Sequence, residues 1–302
     1  MTRTILNFVA GCVVLAGVSS FVGCNGARDT AVSLMDQQGN RGFMTKTVNN
    51  AGRERKYGLF VPMSYDSSHK YPVIVFLHGV GEGGSDARSN MRVGLAPFVA
   101  DNASTFKFIC IFPQSPNGQW DEDSNAASDV IAIIHEVAKA YPGADLDRVS
   151  LTGLSTGGYG TWAIGATHKD VFAALVPMGS SANPSKFADQ LVDMPIQAYH
   201  NSGDMFAAAW NDSSMVSKLS SMGGHATYTE YSAMGHDCWE TAYGDGAIFS
   251  WLEGQRLSAR HGSRPAAAAA PVRATSSVTP VSAPAAAAGT NGSKASAPPS
   301  TY

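Results

Sequence analysis

The stretch VSLTGLSTGGYGTW, residues 149–162, decides how this chain is read. An apolar run leads into a serine flanked by glycines, and a segment of small and aromatic residues follows. Gly153-Leu154-Ser155-Thr156-Gly157 matches G-x-S-x-G. In that pattern a strand turns into a helix so tightly that side chains at the two glycine positions would strike neighbouring backbone. The serine is then held in a strained conformation with its oxygen pointing outward. With 31 glycines in 302 residues the match arises easily by chance, so a plain connecting loop competes with it. A P-loop is excluded, because no Gly-Lys-Ser/Thr follows. A dinucleotide fingerprint fits poorly, because no acidic residue stands at the right distance. The surroundings of the motif have to decide.

Working outward, residues 40–258 alternate strand-like and helix-like segments. FMTKTVNN (43–50) and RKYGLFVPM (55–63) alternate apolar and polar residues, as an opening antiparallel pair does. YPVIVFLHG (71–79), FKFICIFPQ (106–114), RVSLTGLS (148–155), FAALVPMGS (172–180) and PIQAYHNSG (195–203) are apolar runs, and ATYTEYSAMG (226–235) ends the series. Continuous apolar runs mark strands buried on both faces. Helices are expected over 87–101, 123–143, 156–168, a short piece near 184–191, 209–224, and one closing helix over 238–255. This spacing predicts an α/β fold with a mainly parallel, eight-stranded sheet covered on both faces, in which ligands bind beyond the carboxyl ends of the strands.

Four strand ends carry reactive side chains on glycine-containing turns: HGVGEGG (78–84), GLSTG (153–157), HNSGD (200–204) and MGHDCW (234–239). A serine hydroxyl is a poor nucleophile at neutral pH and needs a base, which in turn needs an orienting acid. Of eight histidines, His236 lies in a Gly-His loop after the last strand, where the base belongs in this chain order. Asp204 follows a strand between Ser155 and His236 and is the expected acid; Asp170, Asp189, Asp193 and Asp212 read as solvated residues in or beside helices. His78 and His200 end strands and read as neighbours of the site. The oxyanion donors are expected at the N–H groups of Thr156 and Val80. Glu82 either ties that loop by hydrogen bonds or is a solvated loop acid.

HGVGEGG, FPQSPNGQW (112–120), GLSTGGYGTW, HNSGD and GHDCWETAY (235–243), in that order, resemble the α/β-hydrolase superfamily. More narrowly the chain looks like secreted esterases of the phospholipase/carboxylesterase, feruloyl-esterase and polyhydroxybutyrate-depolymerase-like group, often labelled predicted peptidases. The resemblance runs from about Lys46 to Leu257. It departs in three places: relatives usually carry Met at Thr156, Gly at Asn201, and Val-Pro near Met205-Phe206-Ala207. It implies that Trp120 and Trp239 flank the cleft, where their ring faces would suit sugars or aromatics; ordinary packing is the competing reading, and Tyr159 and Trp162 read as core. Only residues 180–194 separate the sixth and seventh strands, so no large lid domain is expected. The expected function is serine esterase, with no cofactor and no metal, acting on bulky or polymer-linked esters. A peptidase of the prolyl-oligopeptidase type, or an inactive envelope-binding hydrolase fold, are the alternatives.

The ends of the chain read differently from its middle. Residues 1–24 look like an export signal, with Arg3, an apolar stretch over 5–23, and SFVGC resembling a lipoprotein cleavage box that would lipidate Cys24. A membrane-spanning helix competes, without a basic stop-transfer cluster after it. A linker over 25–39 follows, and residues 259–302 form an Ala/Pro/Ser-rich tail with too few large apolar side chains to fold alone. Residues 256–302 carry +5 and residues 28–253 carry −9. The acidic core argues against nucleic acid as a partner. The tail reads as a solvated spacer, with contact to an acidic envelope surface as the alternative. Cys110 and Cys238 read as free, buried thiols rather than a pair.

Overall fold

A computed structural model describes residues 39–121 and 125–260. The export signal, the Cys24 lipidation box, nearly all of the linker and residues 261–302 of the tail lie outside the described residues. Eight strands form one sheet: β1 (Gly42–Asn50), β2 (Arg53–Val61), β3 (Tyr71–Leu77), β4 (Ile109–Pro113), β5 (Ala144–Leu154), β6 (Ala174–Met178), β7 (Ile196–Gly203) and β8 (Ala226–Met234). Their order across the sheet is β1-β2-β4-β3-β5-β6-β7-β8. The β1–β2 and β2–β4 pairs are antiparallel, and every later pair is parallel.

The period of two in the central strands sorts the core into two layers. Val73, Val75 and Leu77 of β3 point to one layer, and Ile74 and Phe76 to the other. Ile109 and Ile111 of β4 oppose Cys110 and Phe112 in the same way. The first layer is closed by α2 (Asn125–Ala140), α3 (Thr156–Thr167), α4 (Pro184–Leu191) and α5 (Trp210–Ser221). The second is closed by α1 (Leu95–Asp101), α6 (Cys238–Gly244) and α7 (Ala247–Glu253). Parallel strands buried on both faces need apolar residues at every position, and this is why β3, β4 and β6 read as unbroken apolar runs. Cys110 and Cys238 are free and buried in the second layer.

Three expectations need correction. The closing helix is two, because Gly246 takes φ +74° and Asp245 Oδ1 accepts the Ala247 N–H at 2.6 Å, which restarts the helix at a new angle. The helix expected over 87–101 is a 3-10 turn (Ser89–Met91) followed by α1, broken at Gly94 with φ +66°. At the far end, α8 (Leu257–Arg260) runs two residues into the expected tail. Arg260 Nη1 donates to the carbonyls of Lys169 and Phe172 at 2.7 and 2.6 Å, so Arg260 is tied to the domain.

Candidate active site

Ser155 lies between β5 and α3 with φ +56° and ψ −120°, a conformation that L-residues rarely take and that costs on the order of 1–3 kcal/mol. The flanking glycines leave no alternative. A Cβ on Gly157 would lie 2.1 Å from the Leu77 carbonyl oxygen, and one on Gly153 would lie 2.3 Å from the Gly157 oxygen. The turn is pinned by the Ser155 N–H, which donates to Met178 O at 2.9 Å, and by the Ser155 carbonyl, which takes the Tyr159 N–H at 3.0 Å.

Asp204 follows β7 and its side chain is fully buried. His236 Nδ1 donates to Asp204 Oδ2 at 2.6 Å. The other carboxylate oxygen, Oδ1, takes the N–H groups of Phe206 and Ala207 at 2.8 and 3.0 Å. Burial alone would raise the Asp204 pKa, but the His236 hydrogen bond and these two N–H groups outweigh it, and the carboxyl is held below its ordinary range. Ser155 and His236 line the same cleft, of about 350 Å³, together with Thr156, Gln119, Ser181 and Phe206. Thr156 is the first residue of α3, so its N–H belongs to the helix start, whose donors have no partner within the helix.

Val80 opens a 3-10 turn, Val80–Glu82, beside the serine. A Cβ on the preceding Gly79 would come 3.5 Å from Ser155 Cβ. The Glu82 carboxylate lies beside Gly79 at the start of this turn, burial raises its pKa, and the Glu82 N–H donates to Gly79 O at 3.3 Å. Gln114 braces the same loop, donating to Glu82 O at 3.1 Å and to Asp86 Oδ1 at 3.0 Å, and accepting the Ala87 N–H at 2.6 Å. His78 is buried beneath it. Its Nδ1–H faces Gly79 O at 2.7 Å, and Nε2 accepts the Ser115 N–H at 3.0 Å. One ring nitrogen donates and the other accepts, so the ring is neutral, and burial lowers its pKa to about 4.

The two tryptophans are not where the resemblance put them. Trp120 is 1% exposed, and its Nε1–H donates to His78 O at 2.8 Å. Its side chain fills the space that a Cβ on Gly160 would occupy, with 2.3 Å between them, so it buttresses the loop and offers no face to a ligand. Trp239 is 9% exposed and packs edge-on to the His236 ring, centroids 5.2 Å apart, because α6 turns it inward with Ala242 and Tyr243. It holds the imidazole instead of lining the cleft.

Phe206 and Tyr159 line the cleft instead. Phe206 is 85% exposed, with its ring 5.5 Å from that of His236. Asp212, expected to be solvated, is fully buried on the inner face of α5 with Met215, Val216 and Leu219. The spacing of those four residues is that of one helix face and carried the signal. Trp162 is core, and its Nε1–H donates to Asp212 Oδ1 at 2.9 Å. Among the described residues, no group of three or more His, Cys, Asp or Glu is placed to hold a metal ion.

A mainly parallel sheet in this strand order, a serine on a strained elbow after β5 and a buried acid after β7 define a class: the chain is a member of the α/β-hydrolase superfamily. Residues 114–192 match the prolyl oligopeptidase family. The fold is similar to that of a thermostable esterase, with TM-score 0.66 and 29% identity over 74% of this chain and 64% of that one. It is also similar to a putative dipeptidyl aminopeptidase IV from Bacteroides ovatus (TM-score 0.56, 18% identity, 71% of this chain and 36% of that one). An acylaminoacyl peptidase from Pyrococcus horikoshii gives TM-score 0.55 and 16% identity over 71% of this chain and 42% of that one. The chain thus spans under two thirds of the length of each of these proteins. In its broad class the chain is similar to hydrolases, an esterase and two peptidases among them.

Proposed function

We propose that the protein hydrolyses carboxylic esters by a two-step acyl-enzyme mechanism carried by Ser155, His236 and Asp204. The observation that carries this reading is the 2.6 Å hydrogen bond from His236 Nδ1 to a buried carboxylate, in the cleft that holds the strained Ser155. With Nδ1–H committed to Asp204, His236 Nε2 is left to accept the Ser155 proton. Ser155 Oγ attacks the ester carbonyl, and the N–H groups of Thr156 and Val80 receive the oxyanion. His236 returns the proton to the leaving alcohol. A water, deprotonated by the same imidazole, then releases the acid.

The preference for esters is supported by the similarity to the esterase and by a cleft that, among the described residues, no lid inserted between β6 and β7 covers, since α4 is the one helix there. Such a cleft suits bulky or polymer-linked esters. The match of residues 114–192 to the prolyl oligopeptidase family favours a second reading, cleavage of peptide amides. Turnover of p-nitrophenyl butyrate, a feruloyl ester and acetylated xylan, set against alanyl- and prolyl-p-nitroanilides, separates the two; a kcat/KM higher on the anilides refutes the ester reading. Export belongs to the same proposal, with residues 1–24 as signal and Cys24 as lipid anchor. Mass spectrometry of the mature N-terminus from the native host tests it, and an intact Met1 contradicts it.

A further inference from the structure

His200 is fully buried at the end of β7, and the mechanism above does not use it. Its Nε2 lies 2.9 Å from Ala207 O and 3.1 Å from Asp204 Oδ2. Its Nδ1 lies 2.8 Å from Asp212 Oδ2. Ala207 O is a carbonyl and can only accept, so Nε2 carries a hydrogen. Asp212 Oδ2 also takes the Ser180 N–H at 2.9 Å, while Asp212 Oδ1 takes the Trp162 Nε1–H at 2.9 Å and the Ser180 hydroxyl. A carboxyl surrounded in this way by N–H and O–H donors is satisfied as the carboxylate, which requires Nδ1 to carry a hydrogen too. A ring with both nitrogens protonated is an imidazolium. Asp204 Oδ2 therefore faces two histidines, His236 from the cleft and His200 from beneath.

We infer that His200 is a standing imidazolium, anchored by Asp212, that positions the Asp204 carboxylate behind His236. It is a positioning residue, and the inference rests on the Ser155–His236–Asp204 reading. Through Ala207 O and Asp204 it spans the turn that carries Phe206 into the cleft. Its positive charge offsets part of the pull of Asp204 on the proton that Asp204 shares with His236 Nδ1. Burial works against a charged His200, but the hydrogen bond to Asp212 and that residue's charge outweigh it, and its pKa is raised. Among the described residues, Tyr228 on β8, hydrogen-bonded to Glu230, and Cys238 on α6 also bear on the two carboxylates. Burial pushes both of their pKa values up, so both stay neutral over the working range.

Two measurements test this. In the full chain labelled with 15N-histidine, the His200 ring, assigned by its loss in His200→Gln, keeps protons on both nitrogens at pH 8; a ring with one proton there overturns the inference without reference to any reaction. On p-nitrophenyl butyrate, His200→Gln removes a positive charge, and the acid-side midpoint of the kcat/KM profile rises by about one unit. Asp212→Asn removes the anchor of the imidazolium, and in that variant the His200 ring carries one proton at pH 8. An unmoved midpoint in His200→Gln refutes the positioning role. Labelling of Ser155 by a fluorophosphonate reads the underlying site separately, so a failure of that reading and a failure of the His200 inference are told apart.

Discussion

Replacing Asp204 with Asn probes the geometry of the site most sharply, because the direction of the amide can be worked out in advance. Oδ1 takes two backbone N–H groups, from Phe206 and Ala207, at 2.8 and 3.0 Å. Neither donor can turn away, so the Asn oxygen settles at that position and the NH2 group takes the place of Oδ2. There it faces His236 Nδ1, 2.6 Å from the present oxygen, and His200 Nε2, 3.1 Å away. An NH2 group can only donate. His236 must then turn Nδ1 into an acceptor and carry its proton on Nε2, the nitrogen that should receive the proton of Ser155. Volume is conserved and the fold stays intact, but the base is in the wrong tautomer. The expected loss in kcat/KM is about 10⁴-fold, or about 5.4 kcal/mol at about 1.36 kcal/mol per tenfold. The assay is p-nitrophenyl butyrate hydrolysis at pH 7.5, with circular dichroism to hold the folded fraction equal. A loss under tenfold with the variant folded refutes the role given to Asp204.

The other expectations are narrower. Gly157→Ala drives a methyl to 2.1 Å from the Leu77 carbonyl oxygen, and backbone cannot yield as a flexible side chain would; soluble, folded variant with wild-type activity in a pH 7.5 ester assay contradicts the steric reading of the elbow. Phe206→Ala removes an 85% exposed ring at the cleft, so KM for a butyrate or longer acyl ester should rise several-fold with kcat nearly unchanged; an equal fall in kcat contradicts a binding role. The buried pair has a pH signature in stability as well. His200 has a raised pKa in the fold, so its stabilisation is full below its ordinary value of 6.5 and is lost as pH rises through the folded value. Asp204 has a lowered pKa, so its stabilisation is full above its ordinary 3.8 and is lost as pH falls through the folded value. Together they stabilise most between those two pH values, which urea unfolding across pH 3–9 measures for the wild type against His200→Gln.

The sheet was readable because strands buried on both faces cannot hide their apolar runs, and because three of the strands end at glycine-containing turns that carry Ser155, Asp204 and His236. What could not be read were distances across the fold. Trp120 looks like a loop residue, but Gly160, forty positions on, leaves the space it fills. Asp212 looks solvated in isolation; only its register with Met215, Val216 and Leu219 turns it inward, where Ser180, Trp162 and His200 satisfy it. Trp239 sits in the right loop but on the inner face of α6, and the cleft falls to Phe206 and Tyr159. The break at Gly246 is a local conformational choice that the smooth apolar period of the closing segment masks.

The most direct test of the central claim is covalent. The full chain and its Ser155→Ala variant are incubated with a fluorophosphonate, and the labelled peptide is identified by mass spectrometry. The expected result is one adduct, on Ser155, with both labelling and ester turnover abolished in the folded Ser155→Ala protein. Labelling elsewhere, or ester hydrolysis by Ser155→Ala near the wild-type rate, contradicts it.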